Sequence, residues 1–413
     1  MTQHLATSMF EQLALVVAAG LLGPILAAGR RPLVPVLVGE LIAGAILGRT
    51  GLGIVDPGAQ PFPAFYALGF AMLMLGAGTE VDLRSPQLRR GAARGAIALA
   101  VAMAASIPLG LLLASGLQLG HPALFAVLLA GSSAAVAFPT MRERKLAGPA
   151  VPLLVAWIAL ADALTALLMP LTLTGPARIP QALAGDLLIV IVSAAVIAGG
   201  TRLVGQPALV EAARESEQRR WALRLRLSVL LLLVLAAIAD RTGGSLLVAG
   251  FAAGIVLRRF REPTRLALQL SGLAEGFFVP AFFVLLGASL SLRSLISDPR
   301  AVALAVAMAA AAAGVHLVAA AVAAETQRVP TGLLASAQLG LPAAAAALGQ
   351  ASHSLSPATA AALVAGGCLT LVPATVGAIL LSGGDHLGPG TARRAPKSVS
   401  PQSPPPPTDR GEA

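Results

Sequence analysis

One aspartate stands where a carboxylate costs most. The run AVPLLVAWIALADALTALLMPLTL, residues 150–173, carries Asp162 near its middle and contains no Lys or Arg. As a helix rising about 1.5 Å per residue, it puts Asp162 roughly 18 Å from its start, near the midplane of a hydrocarbon core about 30 Å thick. Low dielectric favours the protonated form of a carboxyl group. A carboxyl so placed can hold a proton near neutral pH and exchange it for a cation, and ionisable residues at that depth default to function. The alternative is a protonated aspartate making a structural interhelical hydrogen bond.

Oxygen ligands for a hard cation lie in the preceding run. AGSSAAVAFPT, residues 130–140, interrupts an apolar helix with Ser132, Ser133 and Pro139. Proline removes a backbone donor and clashes with the preceding turn, so unwound carbonyls can join the two hydroxyls. Taken alone, the serines read as small packing residues. A second segment, ASAQLGLPAAAAALG at residues 335–349, repeats the pattern around Pro342. Matching broken helices in two halves point to a transporter site between repeats.

Other ionisable residues are weaker candidates. Glu40, in VGELIAGAILG, and Glu275, in AEGFFVPAFFVLLGASL, are possible supporting acids or partners of helix-end arginines. Glu80 and Asp82 adjoin Arg84 and read as an interfacial cluster, while His316 and His353 read as structural or exposed. The single cysteine, Cys368, excludes an intrachain disulfide and reads as packing. No HExxH, Asp-rich pair or spaced His/Cys set suggests an integral-membrane enzyme, a metal site or a cofactor.

The elements that must position these residues are membrane helices. Of 413 residues, 56% are hydrophobic and 12% charged, about half the charge of a soluble domain. Apolar runs predict thirteen helices at 9–28, 33–48, 62–81, 95–115, 122–141, 149–173, 183–203, 221–239, 243–258, 273–292, 301–324, 330–350 and 357–381. They divide as six, one and six, with the broken runs fifth and twelfth. The fold class is thus all-α, with two inverted six-helix repeats. With the N-terminus outside, the 29 Lys and Arg split 24 on the cytoplasmic side to 5 on the other, which orients the chain N-out and C-in. The +10 charge therefore reflects membrane orientation, not nucleic-acid binding. No base precedes the first run, so it reads as a retained anchor rather than a signal peptide. Residues 1–382 form the expected transmembrane domain. Residues 383–413, rich in Pro and Ser, read as a disordered cytoplasmic tail with no regulatory domain after it.

In order and spacing these segments resemble the monovalent cation:proton antiporter-2 family, the bacterial sodium/proton exchangers, over roughly residues 10–381. VGELIAGAILG resembles the second-helix motif, LGFAMLMLGAGTEVDLR the end of the third helix, and GSSAAVAFPTMRERKL the broken fifth helix and its loop. GSLLVAGFAAGIVL and FFVPAFFVLLGASLSL resemble the ninth and tenth helices. The resemblance implies crossed broken helices moving against a scaffold in a homodimer, with Asp162 carrying the ion. It also implies a bacterial plasma membrane; 27 Arg against 2 Lys points to a GC-rich genome. The chain departs from the pattern at Ala161, where the family usually has Asp, Asn or Gln. The expected function is exchange of Na⁺ or K⁺ for H⁺, one for one. The competing readings are a sodium-coupled organic anion symporter on a similar scaffold and a non-transporting membrane sensor.

Overall fold

The computed structural model describes residues 8–28, 36–80, 86–203, 206–219, 221–260 and 264–384. Every regular element among them is helical. Arg30, Arg31, Asp82, Arg84 and nearly all of the predicted tail lie outside the described residues.

The first half runs α1 (Met9–Gly20), α2 (Leu22–Ala27), α3 (Val36–Leu47), α4 (Phe62–Glu80), α5 (Pro86–Gly116), α6 (Pro122–Ala130), α7 (Ala134–Glu143) and α8 (Ala150–Leu173). α9 (Ile179–Leu203) and the polar α10 (Pro207–Gln218) lead to the second half. That half is α11 (Leu223–Thr242), α12 (Leu246–Arg259), α13 (Thr264–Leu273), a π turn (Ala274–Phe278), α14 (Val279–Ser289), the short α15 (Leu292–Ser297), α16 (Pro299–Ala323), α17 (Arg328–Ala335), α18 (Gly340–Ala351) and α19 (Pro357–Gly384).

Nine helical stretches among the described residues are long and apolar enough to cross a membrane, with shorter apolar helices at Val36–Leu47 and Pro122–Phe138. The protein is an all-α, multi-pass integral membrane protein.

Two boundaries differ from the sequence prediction. The first run breaks at Leu21 instead of continuing from 9 to 28. Pro24 lacks the donor that would reach the Gly20 carbonyl. α5 starts at Pro86, nine residues before the predicted 95, because Gln87, Leu88 and the arginines after them favour helix even outside an apolar stretch.

Packing repeats itself across the halves. α3 lies on α14 as α12 lies on α4, and α5–α8 has its counterpart in α16–α19. The first two pairings rest on glycine. A side chain at Gly44 would run into the Val284 carbonyl, and one at Gly254 into the Leu75 carbonyl. Small residues let helix backbones meet where lipid supplies no hydrophobic drive.

The helices sort into two bundles. α1–α4, α9 and α11–α14 form one, and α5–α8 with α16–α19 form the other, the crossing bundle. Contact between them is sparse and runs mainly through α4–α7 and α8–α12, with α8 also touching α9.

Gly44→Val and Gly254→Val should each destabilise the first bundle by roughly 1–3 kcal/mol, the usual cost of overpacking. A lower melting temperature of the detergent-solubilised protein, against a control such as Gly116→Ala in open space, is the expected result.

Candidate functional site

The crossing bundle is built around two interrupted helices. α6 ends at Ala130 and α7 begins at Ala134, leaving Gly131, Ser132 and Ser133 non-helical. α17 ends at Ala335 and α18 begins at Gly340. Pro139 lies within α7, and Pro342 in the first turn of α18. Pro342 cannot donate to the Gln338 carbonyl, which instead accepts from the Thr370 hydroxyl at 3.0 Å.

The two breaks satisfy each other. The Ser133 backbone N–H donates to the Ala337 carbonyl at 2.8 Å. The Ser132 hydroxyl donates to the Ala335 carbonyl at 2.7 Å. The Gln338 amide donates to the Gly131 carbonyl at 2.7 Å. Ser132 and Gln338 thus meet carbonyls at the C-terminal ends of α17 and α6, where a helix carries partial negative charge.

Asp162 serves the opposite end. Its Oδ2 accepts the Ala134 N–H at 3.1 Å, at the positive N-terminus of α7. The carboxyl faces a cleft between the two bundles, with a cavity of ≈ 20 Å³, about enough for one water molecule. Ser133, Gly340 and Leu341 share the Asp162 side. Leu37, Leu73, Met74, Ala77, Leu247 and Phe283 form an apolar wall on the other bundle.

The sequence candidates therefore separate. Asp162 and Ser133 line the cleft, while Ser132 binds into the crossing. Glu40 is buried in α3, and Glu275 is exposed in the π turn. Neither Glu40 nor Glu275 lines the cleft. Ala161 is fully buried beside Asp162, and its carbonyl accepts from Thr165 at 2.6 Å. His353 is exposed. His316 is buried, stacks on Trp157 at 5.3 Å between ring centroids, and bonds the Ala312 carbonyl at 2.8 Å.

Gln338 and Asp186 are among the buried polar residues that escaped sequence reading. Gln338 is an amide next to the α17–α18 break, and its position between two breakers was the available signal. Asp186 opens an apolar run, and its Oδ1 accepts the Ser245 N–H at 2.7 Å, capping the start of α12. Among the described residues no group of His, Cys, Asp and Glu could hold a metal ion.

A comparison with known families decides the broader identity. The transmembrane sodium/hydrogen exchanger family matches residues 16–383. The chain belongs to the sodium/hydrogen exchanger family. Among curated relatives, "Putative Na(+)/H(+) antiporter YjbQ" of Bacillus subtilis is 25% identical over 315 residues, covering 71% of this chain and 50% of that protein. The glutathione-regulated potassium-efflux system protein KefC of Cronobacter sakazakii is 26% identical over 268 residues, covering 64% of this chain and 42% of that protein. The chain thus spans about half the length of the curated relatives it matches. The sodium proton antiporter MjNhaP1 of Methanocaldococcus jannaschii, solved at pH 8, superposes with a TM-score of 0.58 at 16% identity, covering 91% of this chain and 97% of that one. An electron-microscopy structure of the same antiporter gives 0.60 at 15% identity, covering 93% and 100%. These likenesses show that this exchanger-family chain shares the antiporter's fold.

Gln338→Leu removes the donor from a buried carbonyl. It should cost about 1–3 kcal/mol, the penalty of an unsatisfied group. Thermal unfolding in detergent should show a clear drop for Gln338→Leu and a similar one for Ser132→Ala, which frees the Ala335 carbonyl.

Proposed function

We propose that this protein exchanges a monovalent cation, Na⁺ or K⁺, for H⁺ across a bacterial plasma membrane, one for one, with Asp162 as the carrier. The observation that carries the reading is the position of Asp162. It is the carboxylate of a cleft between two bundles, on a half-helix N-terminus, opposite a wall without a polar side chain.

Charge counting gives the mechanism. The empty carboxylate carries −1, and moving it past an apolar wall is costly. A bound proton neutralises it, and so does one bound monovalent cation. Both loaded forms can move, whereas the empty form cannot readily do so. Proton and cation compete for the same oxygens, and that competition couples their fluxes. Ser133 supplies a further oxygen to the cation, as hard ions require. Ser132 holds the crossing that keeps Ser133 in place.

Our reading extends to the assembly. Thirteen spans in two inverted repeats, with the N-terminus outside, form a homodimer in which the crossing bundle moves against its neighbour. The 24-to-5 charge split supports that orientation. The sparse contact between bundles supports the relative motion. A cavity of ≈ 20 Å³ favours a small cation over an organic anion.

Proteoliposomes with an internal pH dye and an imposed proton gradient test the carrier. Na⁺ or K⁺ should collapse the gradient in wild type and leave it standing in Asp162→Asn. Equal activity in the variant would remove Asp162 from the mechanism. Ser133→Ala should raise the half-saturating cation concentration about threefold to tenfold, the loss of one hydrogen-bond-sized contact. At fixed ion gradients, clamping the membrane potential from 0 to an inside-negative value should leave net exchange unchanged; a reproducible dependence would exclude one-for-one stoichiometry.

A further inference from the structure

Among the described residues lining the cleft, Gly340 is the only one without a side chain. Two common reasons for a glycine do not hold there. Its φ lies outside the left-handed region that favours glycine. No neighbouring helix backbone crowds it, in contrast to Gly44 and Gly254. Beyond its own helix and chain neighbours, a Cβ at position 340 would meet two atoms within 4 Å, the Met74 Cε at 3.7 Å and the Ser133 Oγ at 3.9 Å. Both are ordinary van der Waals separations. Alanine therefore fits this backbone and this packing.

What a methyl group would take is space in the ion site. Met74 belongs to α4 and the apolar wall, whereas Ser133 is the N-cap of α7 in the crossing bundle. A Cβ between them stands on the boundary where the two bundles face each other. The cavity there is ≈ 20 Å³, about enough for one water molecule. A methyl group takes a large share of so small a space. Ser133, one of its two neighbours, is also the hydroxyl that lines the cleft with Asp162.

We infer that Gly340 is a specificity-determining residue: its missing side chain, opposite Met74 across the bundle boundary, sets the size of cation that Asp162 and Ser133 can hold. This inference rests on the exchange reading above. Li⁺, Na⁺ and K⁺ carry the same charge and take the same oxygen ligands, so the size of the cavity is a lever that separates them. A proton on Asp162 needs no such room. Residue 340 therefore bears on the cation half of the cycle and leaves the proton half alone.

The test measures half-saturating concentrations of Li⁺, Na⁺ and K⁺ in proteoliposomes carrying wild type, Gly340→Ala, and Gly340→Ala combined with Met74→Ala. Gly340→Ala should melt with wild type in detergent. It should weaken each transported cation by a factor that grows with ionic radius, reaching at least about tenfold for the largest, the low end of what one methylene is worth in a pocket. Met74→Ala reopens the space from the other bundle, and residues that share a cavity couple, so the double variant should recover most of that loss. Unchanged half-saturation in Gly340→Ala, a loss equal for all ions or greatest for the smallest, or no recovery in the double variant would overturn the inference. So would a melting temperature of Gly340→Ala well below wild type, which would assign the glycine to packing. Active wild type with any of these results leaves the exchange reading standing. Wild-type protein inert to all three ions would overturn the exchange reading, and the role of Gly340 with it.

Discussion

Hydrocarbon offers no water to a backbone N–H or carbonyl, so every polar group freed inside a membrane helix must find a protein partner. The rest of this structure depends on how that constraint is met at residues 131–133 and 336–339. Each break exposes groups that the other break satisfies, through the bonds Ser133 to Ala337, Ser132 to Ala335 and Gln338 to Gly131. Neither interruption is tolerable alone. Together they place two helix starts, α7 and α18, on one cleft with an aspartate at the first of them. The charge-bearing group is therefore positioned by backbone accounting as much as by its own helix.

The architecture around that crossing divides labour. Tight glycine-mediated contacts bind α3 to α14 and α4 to α12, so the bundle that supplies the apolar wall is stiff. Long helices α5, α8, α16 and α19 brace the crossing from the other side. Between the two lies a boundary with few contacts and a nonpolar face. That arrangement suits one body sliding against another. Among the described residues lining the cleft, Asp162 is the only ionisable one, and its charge would resist such a movement.

Much of this was legible in the residues. Asp162 stood out because a lone acid inside a 24-residue apolar run has no bland local explanation. The paired breaks were visible because proline and small polar residues recur in corresponding runs. The partition of roles within a break was not visible. Ser132 and Ser133 are adjacent and chemically identical, yet one closes the crossing and the other faces the cleft. The backbone at Ser133 is extended, with φ −115° and ψ 109°, and extended chain turns successive side chains to opposite sides. Asp186 was hidden for a related reason. Its partner, the Ser245 N–H, is 59 residues away, and long-range caps leave no local spacing to read. The stacking of Trp157 on His316 is equally nonlocal.

The length of α5 has a mechanical consequence. Its 31 residues extend about 46 Å, well beyond a hydrocarbon core of about 30 Å. Steep tilt can absorb part of the excess. The remainder carries the exposed Arg89, Arg90 and Arg94 into the headgroup layer, where Arg94 pairs with Glu325 beyond the end of α16. α5 also packs along α6, which leads into the first break, and α8, which carries Asp162. In the proposed exchange, vertical travel of Asp162 would pull a cationic collar through a layer of phosphates. Hydrophobic mismatch costs fractions of a kcal/mol per ångström. Bilayer thickness would then enter the energy profile of the proposed movement, and lipid composition would favour one position of the bundle over the other.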